Sequence, residues 1–312
     1  MADEIKNVLV FCPMSPNHPR LWGRTMQSIM RMKSETIGLE FWFRGHDNPF
    51  EYPYENVAHN YNMAREVVLK LGLDALLTIE SDMIVPADTI ERLAATEVDI
   101  AYGLYVWRHG RKEWSAYTQL SALHGTSISR DPEAARAAWG KVIDVKGVGQ
   151  GCTLIRRNVL EKIHFTLWPG TPQVVCSDWM LAIDAQAHGF TQRCDLGVVC
   201  GHQAYEPWPQ IIWPDINEPD LYRIEALPDP KTGKLPIKII RAGESMKIPF
   251  SERGGKMEIL QVSAKEADRL EKMMTDQEDE DKPTSHEVGT APTGLDAPRL
   301  EKELMKNDTQ KS

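Results

Sequence analysis

The chain has 312 residues, 42% of them hydrophobic and 26% charged, enough apolar content to bury one large core, or two small ones, without metals or disulfides. Cys12, Cys152, Cys176, Cys194 and Cys200 show neither the CxxC spacing of zinc sites nor the density of a disulfide scaffold, so reduced, buried thiols are expected. A net charge of −9 gives no footprint for nonspecific nucleic-acid binding, no run reaches the roughly 20 apolar residues of a membrane span, and the N terminus leads into a strand in place of a signal peptide; a cytoplasmic location is expected.

Lys6 to Cys12 is an apolar run closed by Pro13, Pro16 and Pro19, which suits a buried strand entering a loop. A helix from Leu21 to Met32 and an aromatic strand from Leu39 to Arg44 complete a β-α-β unit. From Asn56 to Leu71, the residues Val57, Tyr61, Ala64, Val67, Val68 and Leu71 recur at spacings of three and four, which predicts a helix with one buried face, ended by Gly72. Ala75 to Ile79 is a continuous apolar run, as in a parallel strand covered on both faces, and it delivers Glu80, Ser81 and Asp82 to its carboxyl end. Open α/β sheets bind ligands at that edge.

A short helix is expected at 88–95, strands at 100–107 and 113–120, an ambiguous stretch at 121–139, and a strand at 142–145. The glycine-containing Gly147 to Cys152 leads into a helix predicted over 153–163, followed by a helix at 177–188 and an edge strand at 191–200. Trp-Pro and Glu-Pro pairs after Tyr205 suggest an irregular lobe over 206–260. From 262 to 312 there are 13 acidic against 8 basic side chains and few large apolar residues, so 261–312 is expected to be a largely disordered tail.

Several residues carry candidate chemistry. Glu80 and Asp82 stand at i and i+2, which places both carboxylates on one side of an extended or tightly turned segment; a solvated strand end or helix cap carries such triplets too. Gly149 and Gly151 permit close backbone approach to a ligand or a bulge, while a dinucleotide fingerprint is excluded because Thr153 stands where its third glycine belongs. Asp178 opens a helix, and His202 follows the last expected core strand. Arg20, Arg24 and Arg65 are phosphate candidates or solvated helix charges, and Trp107, Trp114, Trp168 and Trp208 are sugar-stacking or packing candidates.

In order and spacing, these features resemble the GT-A glycosyltransferases. The stretch from Leu71 to Leu93 is similar to that family's helix, apolar strand, acid-x-Asp motif, Pro and short helix, with Glu80 in place of the more usual Asp. Asn62 resembles the family's Asn upstream of the motif, although Tyr61 stands where an Arg is common, and Ser177-Asp178-Trp179 resembles its acidic segment with Ser177 in place of Glu. The resemblance implies an α/β, GT-A-like and Rossmann-related fold over 1–205, with a mixed, mainly parallel sheet flanked by helices. It implies a metal-dependent transfer of sugar from a nucleoside-diphosphate sugar, most often a UDP-sugar, to an acceptor hydroxyl. Asp82 and His202 would hold Mn²⁺ or Mg²⁺, and Asp178 would be the base of an inverting displacement. Pro13, Asn62, Arg65, Glu80, Ser81, Gly149 and Gly151 are the donor-binding candidates. The acceptor stays open among a glycan, a protein and a hydroxylated base in DNA, the one way nucleic acid would enter. Two other readings stand: a catalytically silent binding scaffold, and a sugar-nucleotidyltransferase, whose Gly-rich signature should follow the first strand where Cys12 to Arg20 is proline-rich and lacks glycine.

Overall fold

Every side chain of Ala75–Ile79 is buried in the computed structural model, which describes residues 4–14, 22–45, 47–51, 53–108, 112–121, 124–167, 177–204 and 209–227 and the backbone of 238–241 and 259–262. The chain begins with β1 (Asn7–Met14), α1 (Trp22–Ile29), β2 (Gly38–Gly45), α2 (Pro53–Leu71) and β3 (Ala75–Ile79). Gly72, at φ +70°, lets Leu73 N–H turn back to the Val68 carbonyl at 3.0 Å, closing α2 as the sequence predicts. The Asp74 carboxylate then accepts from the backbone N–H groups of Lys6 and Asn7, both at 2.9 Å, pinning the start of β1 beside β3.

Next come β4 (Met83–Ile84), α3 (Thr89–Ala94), β5 (Ile100–Leu104), β6 (Tyr117–Leu120), β7 (Gly125–Ser127), α4 (Pro132–Ala138), β8 (Val142–Asp144), β9 (Cys152–Arg156), α5 (Arg157–Leu160), α6 (Ser177–Ala187) and β10 (Gln192–Val199). The main sheet has seven strands in the order β2-β1-β3-β9-β5-β10-β8, flanked by helices, with α2 packed on β1 and β3 and α3 on β5 and β10. Parallel pairs join β1 to β2, β1 to β3 and β5 to β10, whereas β9 runs antiparallel to both β3 and β5, and β8 antiparallel to β10. The sheet is thus mixed, half parallel and half antiparallel, where a mainly parallel one was expected.

Two further expectations are corrected. Residues 152–156 form a fully buried strand at the middle of the sheet, and only 157–160 are helical, because pairing on both edges satisfies the backbone of this apolar run. β10 is interior, and the short β8 takes the edge.

After β10 come β11 (Gly201–Ala204), β12 (Gln210–Pro214) and β13 (Tyr222–Ala226), which form a second, antiparallel sheet in the order β13-β12-β11-β4. Within the lobe expected over 206–260, residues 210–214 and 222–226 are therefore strands of a regular sheet. The chain divides into one compact unit of 1–238 with 245–259 and another of 239–244 with 260–312. β14 (Lys238–Arg241) pairs with β15 (Ile259–Val262), so the expected tail begins with two strand residues; 263–312, like Arg20, Trp168, Cys176 and Trp208, lie outside the described residues. Among the described residues, Cys12, Cys152, Cys194 and Cys200 are free and buried, and no helix is long and apolar enough to cross a membrane.

Candidate functional site

At the carboxyl end of β3 the chain turns sharply. Met83 N–H donates to the Glu80 carbonyl at 3.0 Å, placing Ser81 and Asp82 at the corner of the turn. Glu80 N–H is held by the Gly151 carbonyl at 3.1 Å, and the Ser81 carbonyl by the Thr25 hydroxyl of α1 at 2.9 Å. Gln203 supports the corner twice: its backbone N–H donates to the Asp82 carbonyl at 2.8 Å, and its side-chain amide to the Thr25 hydroxyl at 2.9 Å. The triplet is thus clamped from α1, β11 and the loop before β9.

The register of β11 against β4 sets His202 opposite Met83, next to the turn. His202 Nε2 consequently lies 3.6 Å from Asp82 Oδ2, although the two residues are 120 apart in the chain, and both side chains are buried. His202 Nδ1 meets the Val106 carbonyl at 2.8 Å, an acceptor that requires a proton on Nδ1; in the neutral ring Nε2 then presents its lone pair to the carboxylate. Asp82 Oδ2 is also paired with the Arg108 guanidinium, while Oδ1 is buried and meets no donor from another described residue. Burial works to raise the Asp82 pKa, but the charge and hydrogen bond that His202 supplies in its protonated form, and then Arg108, outweigh it and hold the carboxyl at about 2.

Glu80 behaves oppositely. Loss of solvent, then the charges of Asp82 and Asp178, push its carboxyl up to about 8 against the pull of Arg108. Asp178, in the first turn of α6, accepts from Trp179 N–H at 2.9 Å through Oδ1. Its Oδ2 lies 3.1 Å from where a Cβ on Gly149 would stand. The three carboxylates therefore face one region through which each acts on the next.

Tyr105 occupies the centre of that region. A Cβ on Gly149 would fall 2.0 Å from its hydroxyl, and one on Gly151 2.9 Å from its ring. The two glycines are thus required by the buried phenol, which also sets its ring at a right angle to His202 with centroids 5.4 Å apart. Neither Tyr105 nor Arg108 was singled out in the sequence. Both follow from the run Ile100 to Arg108, whose later residues continue beyond β5 past the carboxyl edge of the sheet.

Other candidates stand elsewhere. Pro13 is buried near the carboxyl end of β1, in register with Arg44. Asn62 makes a reciprocal pair with the Phe165 backbone, at 2.8 and 2.9 Å, and the buried Arg65 donates through Nε to the carbonyls of Leu160 and Ile163 at 2.6 and 3.0 Å. Both tie α2 to the segment that includes and follows α5. Trp114 is a core residue, with Nε1 donating to the Leu221 carbonyl at 2.7 Å.

Among the described residues, no cluster of three or more His, Cys, Asp and Glu side chains is arranged to hold a metal, so Asp82 and His202 stand as a pair. No protein-family model and no curated relative matches the chain. Similar solved structures include that of A197 from STIV, with 16% identity and a TM-score of 0.41, covering 64% of this chain and 86% of that one. Another is GalNAc-T7 with UDP, GalNAc and Mn²⁺, with 11% identity and a TM-score of 0.46 over 66% of this chain and 45% of that one, so this chain spans less than half of that protein's length. At such scores neither likeness assigns a role to any residue.

Proposed function

We propose that the chain is a GT-A-type glycosyltransferase that moves a sugar from a nucleoside-diphosphate donor, a UDP-sugar by preference, to an acceptor hydroxyl. The observation that carries this reading is the 3.6 Å approach of His202 Nε2 to Asp82 Oδ2, an imidazole lone pair and a carboxylate sharing a buried corner at the carboxyl edge of the sheet. A divalent ion with bonds of about 2.1 Å to each would fit between them, and the orphaned Asp82 Oδ1 offers a further oxygen. Asp82 and His202 would hold Mn²⁺ or Mg²⁺, which supplies positive charge for a departing diphosphate.

The remaining chemistry belongs to the chain. Asp178 takes the proton of the acceptor hydroxyl as its oxygen attacks the anomeric carbon, the bond to the diphosphate breaks on the opposite side, and the sugar configuration inverts. Glu80, next to the same corner, faces the donor's ribose or the waters of the ion. The four buried free thiols suit a reducing compartment, and the cytoplasm is the proposed location.

Calorimetric titration with a panel of nucleotide sugars, with and without Mn²⁺, tests the reading. Mn²⁺-dependent binding is expected for the wild type and lost in Asp82→Ala. Asp178→Asn should retain donor binding while transfer falls about a hundred- to ten-thousand-fold. Absence of metal-dependent binding across the panel would reject the enzyme in favour of a binding scaffold.

A further inference from the structure

We propose that Arg108 is a resident counter-ion that holds the cation position at Asp82 until a divalent ion arrives, and then turns to the diphosphate that comes with it. The inference rests on the cation-site reading of Asp82 and His202. Its basis is that one carboxylate oxygen, Asp82 Oδ2, is shared between the Arg108 guanidinium and the His202 ring, 3.6 Å away. A buried carboxylate needs positive charge beside it, and the guanidinium supplies that charge. A doubly charged ion on the same carboxylate would stand within a few ångströms of the guanidinium and repel it, so binding of one requires departure of the other.

The local backbone allows such an exchange. Trp107 N–H donates to the Glu113 carbonyl at 3.0 Å, Val106 is bridged to Trp114 and the Arg108 carbonyl accepts from the Lys112 ammonium, so the backbone is anchored on both sides of the Arg108 side chain. The Arg108 side chain is 21% exposed against 9% for Asp82, which puts it at the solvent side of the pair, and turning it outward leaves in place the Val106 carbonyl that fixes His202. Turned outward, the planar fork suits phosphate oxygens, which it can grip through two parallel hydrogen bonds. The same residue would therefore weaken binding of the free ion and strengthen binding of the ion together with a nucleoside diphosphate.

The test measures Mn²⁺ binding to the full chain by the loss of the free-ion paramagnetic resonance signal, and UDP binding at saturating Mn²⁺ by calorimetry. A guanidinium seated about nine times in ten raises the apparent Mn²⁺ constant about tenfold, so Arg108→Met should bind free Mn²⁺ about tenfold tighter than the wild type. The same variant should bind UDP about tenfold more weakly, and Arg108→Lys, which keeps the charge, should return both constants towards wild type and serves as the folding control. Equal Mn²⁺ constants in wild type and Arg108→Met, or unchanged UDP binding, overturns the exchange and leaves the Asp82–His202 site standing. Failure of both proteins to bind Mn²⁺, with UDP present or absent, removes the cation site itself and the exchange with it.

Discussion

Glu80 and Asp82 share one turn yet titrate in opposite directions, and each sign has a measurable consequence. The folded chain keeps a proton on Glu80 up to about 8, whereas the ordinary carboxyl releases it near 4.5. Between those values the unfolded chain binds fewer protons, so the Glu80 contribution makes stability fall as pH rises. Glu80→Gln removes that slope: its unfolding free energy should exceed the wild type's at pH 9 by about 4 kcal/mol and match it at pH 5, read from melting curves. Asp82 has the reverse sign, with stability present above its ordinary value of 3.8 and lost as pH falls towards 2. At Gly149 the issue is space. Alanine there would place a methyl 2.0 Å from the Tyr105 hydroxyl, whereas Tyr105→Phe leaves the ring carbon at 3.3 Å as the nearest Tyr105 atom. Gly149→Ala should lower the urea midpoint by an equivalent of about 2 kcal/mol, and the double variant with Tyr105→Phe should recover most of it. Asp82 and His202 were legible in the sequence because each follows an apolar run that announces a strand end. Arg108 was not, since its place beside Asp82 comes from tertiary contacts such as that of the Val106 carbonyl with His202, a relation no local pattern encodes. Arg65 shows the converse: a helix residue marked as a phosphate candidate has a buried Nε that donates to the Leu160 and Ile163 carbonyls.

The elements that were predicted well are those whose signal is local. α2 carries its apolar residues at helical spacing and stops at a glycine with positive φ, and β3 is five apolar or β-compatible residues between polar ends, found at the expected bounds. The sequence of β9 reads as helix because Thr153 to Ile163 has no alternation and its apolar residues also fit a helical stripe. What decides its conformation is tertiary: Leu76 and Ile100 both lie opposite Ile155, one on each neighbouring strand. Ile155 is fully buried, so Ile155→Ala should reduce the unfolding free energy by about 2–5 kcal/mol, read from denaturant midpoints at unchanged slope. Val142, by contrast, is exposed on the edge strand β8, and a substitution to Thr there should leave the midpoint within about 0.5 kcal/mol of the wild type.

Across the whole molecule, the site stands where the two sheets meet: β3 ends in the turn that begins β4, and β4 is zipped to β11, so each sheet contributes one half of the Asp82–His202 pair. The sheet order places strands distant in sequence side by side, a topology that slows folding. Refolding monitored by tryptophan fluorescence is expected on the millisecond-to-second scale or slower, and a microsecond phase carrying the full amplitude would contradict that. β9 is translated long after β3 and β5, the strands that it joins. When the ribosome has released β3 and β5, the strand that belongs between them is about fifty residues away in translation, so both leave sticky apolar flanks open to neighbouring nascent chains. A pause or premature stop in that interval should yield aggregates, and a chaperone that shields those flanks until residue 156 has emerged should raise the soluble yield more than it helps the finished protein.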